Sequence, residues 1–214
     1  MNDNKGYKII AVVALIIGVV GVTLGYAAFS STLTISSTAE VTPDPSNFNV
    51  DFSSSSSAVQ ANDIVATLNP NNVTGFEAED AHIDNTTDPT ITNLHATFTE
   101  PGQTATYSFY AYNAGEYIAY LNSIVFSGTK TCTAVTGTTQ TLVDSACNGI
   151  SLSVQVGSES ATTTSVATIT GHSLAIGAAE PVVVTITYAA NSAIADGDFN
   201  VTFPDIVLTY ASAD

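Results

Sequence analysis

Three groups of residues in this chain have types and spacings suited to chemistry. The stretch Phe76-Glu77-Ala78-Glu79-Asp80-Ala81-His82-Ile83-Asp84-Asn85 gathers the carboxylates of Glu77, Glu79, Asp80 and Asp84. Hard cations such as Ca²⁺ take several oxygen ligands at once, so a loop presenting these four acids would hold one. Their spacing departs from the twelve-residue calcium loop, and acids also simply keep a loop solvated; no metal site is assigned. The second group is Cys132 and Cys147, fifteen positions apart. The separation is not Cys-x-x-Cys and a zinc site needs three or four ligands, so the expected role is a disulfide closing a Thr-rich loop. An unstrained loop of that size contributes roughly 3 kcal/mol. The third group is aromatic: Tyr107, Phe109, Tyr110, Tyr112, Tyr117 and Tyr120. Strand parity puts Tyr107 and Phe109 on one face and Tyr110 and Tyr112 on the other, one set in the core. The other set would pair across strands with Tyr117 or Tyr120, or form a binding platform.

Catalytic constellations are missing from the sequence. His82, His95 and His172 are isolated, and none has a partner at helical spacing of the His-Glu-x-x-His kind. Gly-x-Ser-x-Gly does not occur, and no Gly-rich phosphate loop precedes a helix. The expectation is a protein that is not an enzyme, with no small-molecule substrate. The chain has 3 Lys+Arg against 19 Asp+Glu, a formal net charge of -16, which argues against nucleic acid and anionic lipid as partners. Asn72, Asn85 and Asn200 each begin an Asn-x-Ser/Thr triplet, which matters only where surface proteins are glycosylated.

The leading segment bears on compartment. Lys5 and Lys8 precede an uncharged run from Ile9 to Phe29, close to the ~20 residues that cross a bilayer as a helix. Lysines on the leading side place the rest of the chain outside the cell. Two readings stand: an uncleaved signal-anchor helix, or a signal peptide whose apolar core ends at Gly25-Tyr26-Ala27-Ala28, with cleavage at Ala27 and Ala28. An oxidising exterior agrees with a cysteine pair. Residues 1–29 are thus the export segment, and 30–214 one domain whose first part, 30–46, is a strand and linker.

That domain reads as all-β. Period-two alternation is expected over Thr32–Val41, Phe48–Phe52, Asp63–Leu68, Ile91–Phe98, Thr104–Tyr112, Ile118–Phe126, Ile150–Val156, Val166–Thr170, Val182–Tyr188, Phe199–Phe203 and Ile206–Tyr210. No helix is expected after residue 29. About nine or ten strands at roughly ten-residue spacing predict an antiparallel β-sandwich. Asn113-Ala114-Gly115 reads as a hairpin connection, and Pro204 as a bulge or edge inside one long final strand.

The run Gly25-Tyr26-Ala27-Ala28-Phe29-Ser30-Ser31 followed by an alternating strand resembles the TasA/camelysin group of exported bacterial proteins. The segment Glu100-Pro101-Gly102-Gln103-Thr104-Ala105-Thr106-Tyr107-Ser108-Phe109, with Asn113-Ala114-Gly115 after it, is similar to a strand pair found in many surface β-sandwiches. The resemblance covers about the first 35 residues and one strand pair. It implies a jelly-roll-like sandwich, release by a dedicated signal peptidase near Ala27, and assembly into extracellular matrix fibres by donor-strand exchange. Carried over, Ala28–Val41 is the donor, with Leu33, Ile35, Ala39 and Val41 as its alternating side chains. The metalloprotease activity described for camelysins does not transfer, because no zinc-ligand set is visible.

Strand donation also has a physical basis of its own. Open sheet edges are usually guarded by lysine, proline or bulges, and lysine is almost absent here. Strand addition supplies backbone hydrogen bonds plus pockets for alternate side chains. A large negative charge opposes self-association, so assembly is expected to be favoured by acid, salt or divalent cations. The rival reading is a membrane-anchored adhesion or binding module whose leading helix is never cut.

Overall fold

The computed structural model describes residues 30–35 (main chain only), 47–86, 89–162, 166 and 168–212. The leading segment, the cleavage residues Ala27 and Ala28, and the donor residues Ala39 and Val41 lie outside the described residues. The chain is mostly β, as expected. Its strands are β1 (Ser30–Ile35), β2 (Val50–Ser53), β3 (Thr67–Asn69), β4 (Glu77–Ala78), β5 (His82–Asp84), β6 (Thr90–Thr92), β7 (Ala96–Thr97) and β8 (Thr104–Asn113). They continue with β9 (Ala119–Ser127), β10 (Thr131–Ala134), β11 (Ile150–Val156), β12 (Glu159–Thr162), β13 (Ser173–Leu174), β14 (Ala179–Tyr188), β15 (Phe199–Thr202) and β16 (Asp205–Ser212).

Two six-stranded sheets carry the core. One runs β13-β9-β16-β1-β6-β5 and the other β12-β11-β14-β8-β2, with β3 also on β8. The long strands form because alternation gives each one buried face. In β8, Ala105, Tyr107, Phe109, Ala111 and Asn113 are buried and the residues between them are not. β14 repeats the pattern with Glu180, Val182, Val184, Ile186 and Tyr188. These meet Leu121, Ile124, Ile206, Leu208 and Tyr210 of the facing sheet in one hydrophobic cluster, each large apolar side chain contributing about 2–3 kcal/mol of transfer free energy. Phe52 and Phe109 meet edge to face, ring centroids 5.3 Å apart.

Several expectations need correction. Asn113-Ala114-Gly115 is not a hairpin: β8 and β9 belong to different sheets, and the segment carries the chain across. Tyr110 and Tyr112 therefore have β14 and β2 as neighbours, not Tyr117 or Tyr120. The tight turn is nonetheless demanded, since a Cβ on Gly115 would stand 2.6 Å from Asn49 N and 2.8 Å from Asn47 O. Pro204 does not sit inside one strand. It separates β15, which pairs with β10, from β16, which pairs with β9 and β1, so it marks a corner where the chain changes partners. The bulge lies instead between Thr209 and Tyr210. Ile91–Phe98 is broken into β6 and β7, with Asn93 between them at φ 61°. Among the described residues of Val166–Thr170 there is a single bridge, Val166 to Ile124.

A helix, α1 (Gln140–Cys147), interrupts the β structure inside the disulfide loop, contrary to expectation. Its residues are ordinary helix formers at best, and its anchors are tertiary. Val143 and Ala146 are buried on one face. Asp196 accepts from the Thr139 amide at 2.9 Å and hydroxyl at 2.6 Å, and these two hydrogen bonds hold its carboxyl below the usual range. At the other end Lys130 Nζ donates to the carbonyls of Cys147 and Ile150, each at 2.5 Å, setting a cation against the negative end of the helix dipole. Cys132 and Cys147 form the expected disulfide, tying β10 to the end of α1 with their Cα atoms 6.1 Å apart.

Candidate functional site

The N-terminal strand is not peripheral. β1 lies inside a sheet, antiparallel to β16 and parallel to β6. Leu33 stands opposite Leu208, and Ile35 opposite both Ile206 and Ile91; those three neighbours are buried. In main-chain register, Leu33 and Ile35 thus stand level with apolar positions of β16 and β6. Deleting β1 would leave a slot with unpaired main-chain groups along six residues of β16 on one side and at Thr90 and Ile91 of β6 on the other.

A groove lies near the end of the slot. β1 runs toward Ile206 and Ile91, and past those residues in sequence come Phe203 and β15 on one side and residues 94–99 on the other. These segments wall a groove of about 880 Å³, floored by Ile150, Ile186 and Tyr188 of the opposite sheet. Phe98 forms part of the wall, stacked on Phe76 at 5.5 Å and edge-on to Tyr188 at 6.2 Å. A smaller cavity of about 290 Å³, bordered by Ile91, Leu94, Phe203 and Ile206, links the groove to the end of β1. Among the described residues, β15 pairs with β10 alone and β7 with β4 alone, so each has a second edge without a strand.

The four acids do not converge. Glu77 and Asp84 lie on β4 and β5, Glu79 and Asp80 between them. Asp84 turns back to accept from the amide and hydroxyl of Thr86, at 2.8 and 2.6 Å, which holds its carboxyl below the usual range. Among the described residues no group of three or more His, Cys, Asp or Glu side chains is arranged to hold a metal ion. His82 Nδ1 is 2.7 Å from Asp63, and His95 Nδ1 is 4.0 Å from Glu79. The segment is anchored by Tyr107, whose hydroxyl reaches the carbonyls of His95 (2.6 Å) and Glu79 (2.9 Å) and accepts from the His95 amide (3.2 Å). Burial pushes the Tyr107 phenol up to about 12.

Asn85 is likewise committed to structure: its amide donates to Phe52 O at 2.7 Å and accepts from Phe52 N at 3.3 Å. A glycan on Asn85 Nδ2 would replace one of the two amide hydrogens beside this contact. Asn72 and Asn200 are exposed.

A polar cluster that sequence reasoning missed joins the two sheets. Glu180 of β14 is buried; one carboxylate oxygen accepts from Tyr210 of β16 at 2.5 Å, and the other is bonded to His172 Nε2 beside β13. The second ring nitrogen of His172 stands 3.6 Å from Glu159 of β12. Burial, and then the Glu180 charge, raise the Tyr210 phenol well above its ordinary range. The signal lay in the alternation itself, which places Glu180 on the buried face of an otherwise apolar strand. No family model, curated protein or solved structure matches this chain.

Proposed function

We propose that this chain is an exported structural protein of the cell surface or extracellular matrix, a jelly-roll-like sandwich that polymerises by lending its N-terminal strand to the next copy. Ile9–Phe29 serves as the export helix, and cleavage at Ala27 and Ala28 frees the donor. The single observation that carries the reading is the position of β1, a terminal strand that completes the middle of a sheet.

Chain length supports exchange over self-completion. A strand continuing from Ile35 to Val41 would run ~20 Å further down, into the groove. Ile35 is already ~17 Å below Ser30. Asn47 is fixed back at the upper end, where its carbonyl accepts from the Glu116 amide at 2.7 Å. Residues 42–46 reach ~20 Å, about half of what that return requires. A single chain therefore cannot seat Ala39 and Val41 in its own groove, whereas a second copy, entering with its body below, can. The groove and the slot together then form one acceptor for Leu33, Ile35, Ala39 and Val41.

The test is negative-stain microscopy and sedimentation of the form beginning at Ala28. Filaments are expected, and loss of residues 30–41 should abolish them while leaving a body that binds a synthetic Thr32–Val41 peptide. Filaments from the truncated body, or a peptide that does not bind it, would overturn the reading.

A further inference from the structure

The sheets end, at the level of Ser30, in two loops that expose large apolar side chains. Tyr117 and Ile118 lie between β8 and β9, exposed by 41% and 44%; Ile176 lies between β13 and β14, exposed by 57%. The loops are neighbours because β13 pairs with β9, Leu174 opposite Ala119. They are also held firmly. The side-chain amide of buried Asn113 donates to the carbonyls of Tyr117 (2.8 Å) and Leu174 (3.0 Å), and the Asn113 carbonyl accepts from Gly177 (2.9 Å). The apolar groups are therefore presented by fixed loops, not swept about on a flexible tip.

The start of β1 is at this same end. Ser30 stands opposite Ala211, and Ala211 opposite Tyr120, so the chain enters about two strand spacings, ~10 Å, from the Tyr117–Ile118 loop. Ile9–Phe29, uncharged throughout, ends at the residue before Ser30, with no linker between. Whatever plane that segment crosses, this end of the sandwich must face it closely.

We propose that this apex is a bilayer-contacting surface: while the leading segment is in the membrane, Tyr117, Ile118 and Ile176 insert into the outer interface and set the sandwich upright on it. The inference rests on reading Ile9–Phe29 as membrane-inserted. Tyrosine suits the headgroup level and isoleucine the acyl boundary just below. Glu116 and Glu159 flank the apex, so contact is apolar and anionic lipid opposes it.

The chain contains no Trp, which makes a single Trp a clean probe. The full-length chain is reconstituted into phosphatidylcholine vesicles as Ile118→Trp, with Ile194→Trp at the opposite end as the comparison. Vesicles with brominated acyl chains should quench Ile118→Trp several-fold and shift its emission to the blue, leaving Ile194→Trp unchanged. Equal emission from the two variants in a chain that floats with the vesicles would overturn the proposal, leaving the apex to a protein partner. A chain that does not float at all would overturn the membrane reading of the leading segment, and the proposal with it.

Discussion

Replacing Tyr210 with Phe removes one hydroxyl and nothing else from the centre of the molecule. That hydroxyl is the donor to Glu180 at 2.5 Å, and both groups are shielded from water. A buried acceptor left without its donor costs about 1–3 kcal/mol, toward the upper end when the acceptor is charged. The expected loss for Tyr210→Phe is therefore about 3 kcal/mol, which for a domain of this size lowers Tm by roughly 6–12 °C. Thermal and urea unfolding of the oxidised protein, followed by circular dichroism, would measure it. The decisive comparison is the double variant Tyr210→Phe/Glu180→Met. Removing both partners of a buried pair is often close to neutral, so the double variant should be more stable than the sum of the two single losses predicts. Strict additivity, or a Tyr210→Phe variant within 0.5 kcal/mol of the parent, would refute the idea that Glu180 is held in place by a hydrogen bond spanning the two sheets.

Other outcomes follow from the same geometry. The folded Tyr107 phenol sits at about 12 against an ordinary 10, so its contribution is complete below pH 10 and is lost as pH rises from 10 toward 12. Tyr107's share of that fall is up to about 3 kcal/mol, visible as falling urea midpoints; Tyr107→Phe should make the fall shallower, the raised Tyr210 phenol keeping its own share, while lowering stability at pH 7. Converting Cys132 and Cys147 to Ser should cost roughly 3 kcal/mol at equilibrium and loosen α1 first, as amide exchange at Val143 and Ala146 would report. Light scattering of the Ala28–Asp214 form should rise between pH 7 and 4.5, and with Ca²⁺ or salt, as the net charge of -16 is neutralised or screened; a flat trace would remove charge as the control on assembly.

Much of this was legible because alternation is a local signal with a global cause. Ile150–Val156 reads as a strand from its own residues and is one. The two faces of Thr104–Tyr112 were separable by parity, and Tyr107 and Phe109 are indeed the buried pair. Partners were not legible. Asn113-Ala114-Gly115 has the composition of a hairpin, yet which strand follows in space depends on Asn113 reaching Leu174, 61 residues away. α1 was invisible for the same reason, since Asp196 and Lys130, which fix its two ends, lie outside its sequence. The acidic run raised the question of an ion because its carboxylates are clustered in sequence, but such neighbours need not share a face; here Asp84 is spent on its own turn. The slot filled by β1 was half visible: the strand's alternation could be read, but its pairing with β16 and β6 inside a sheet could not.

The most direct test asks whose strand occupies that slot. Thr32 stands opposite Thr209, and Leu33 opposite Leu208, and in an antiparallel pair one of two successive positions is the closer, non-hydrogen-bonded kind that a disulfide can bridge. The variants Thr32→Cys/Thr209→Cys and Leu33→Cys/Leu208→Cys would be assembled, oxidised and run on a denaturing gel without reductant. Strand exchange predicts a ladder of covalent multimers from at least one of them, collapsing to a single band on reduction. Filaments whose cross-links all remain within single chains would contradict it.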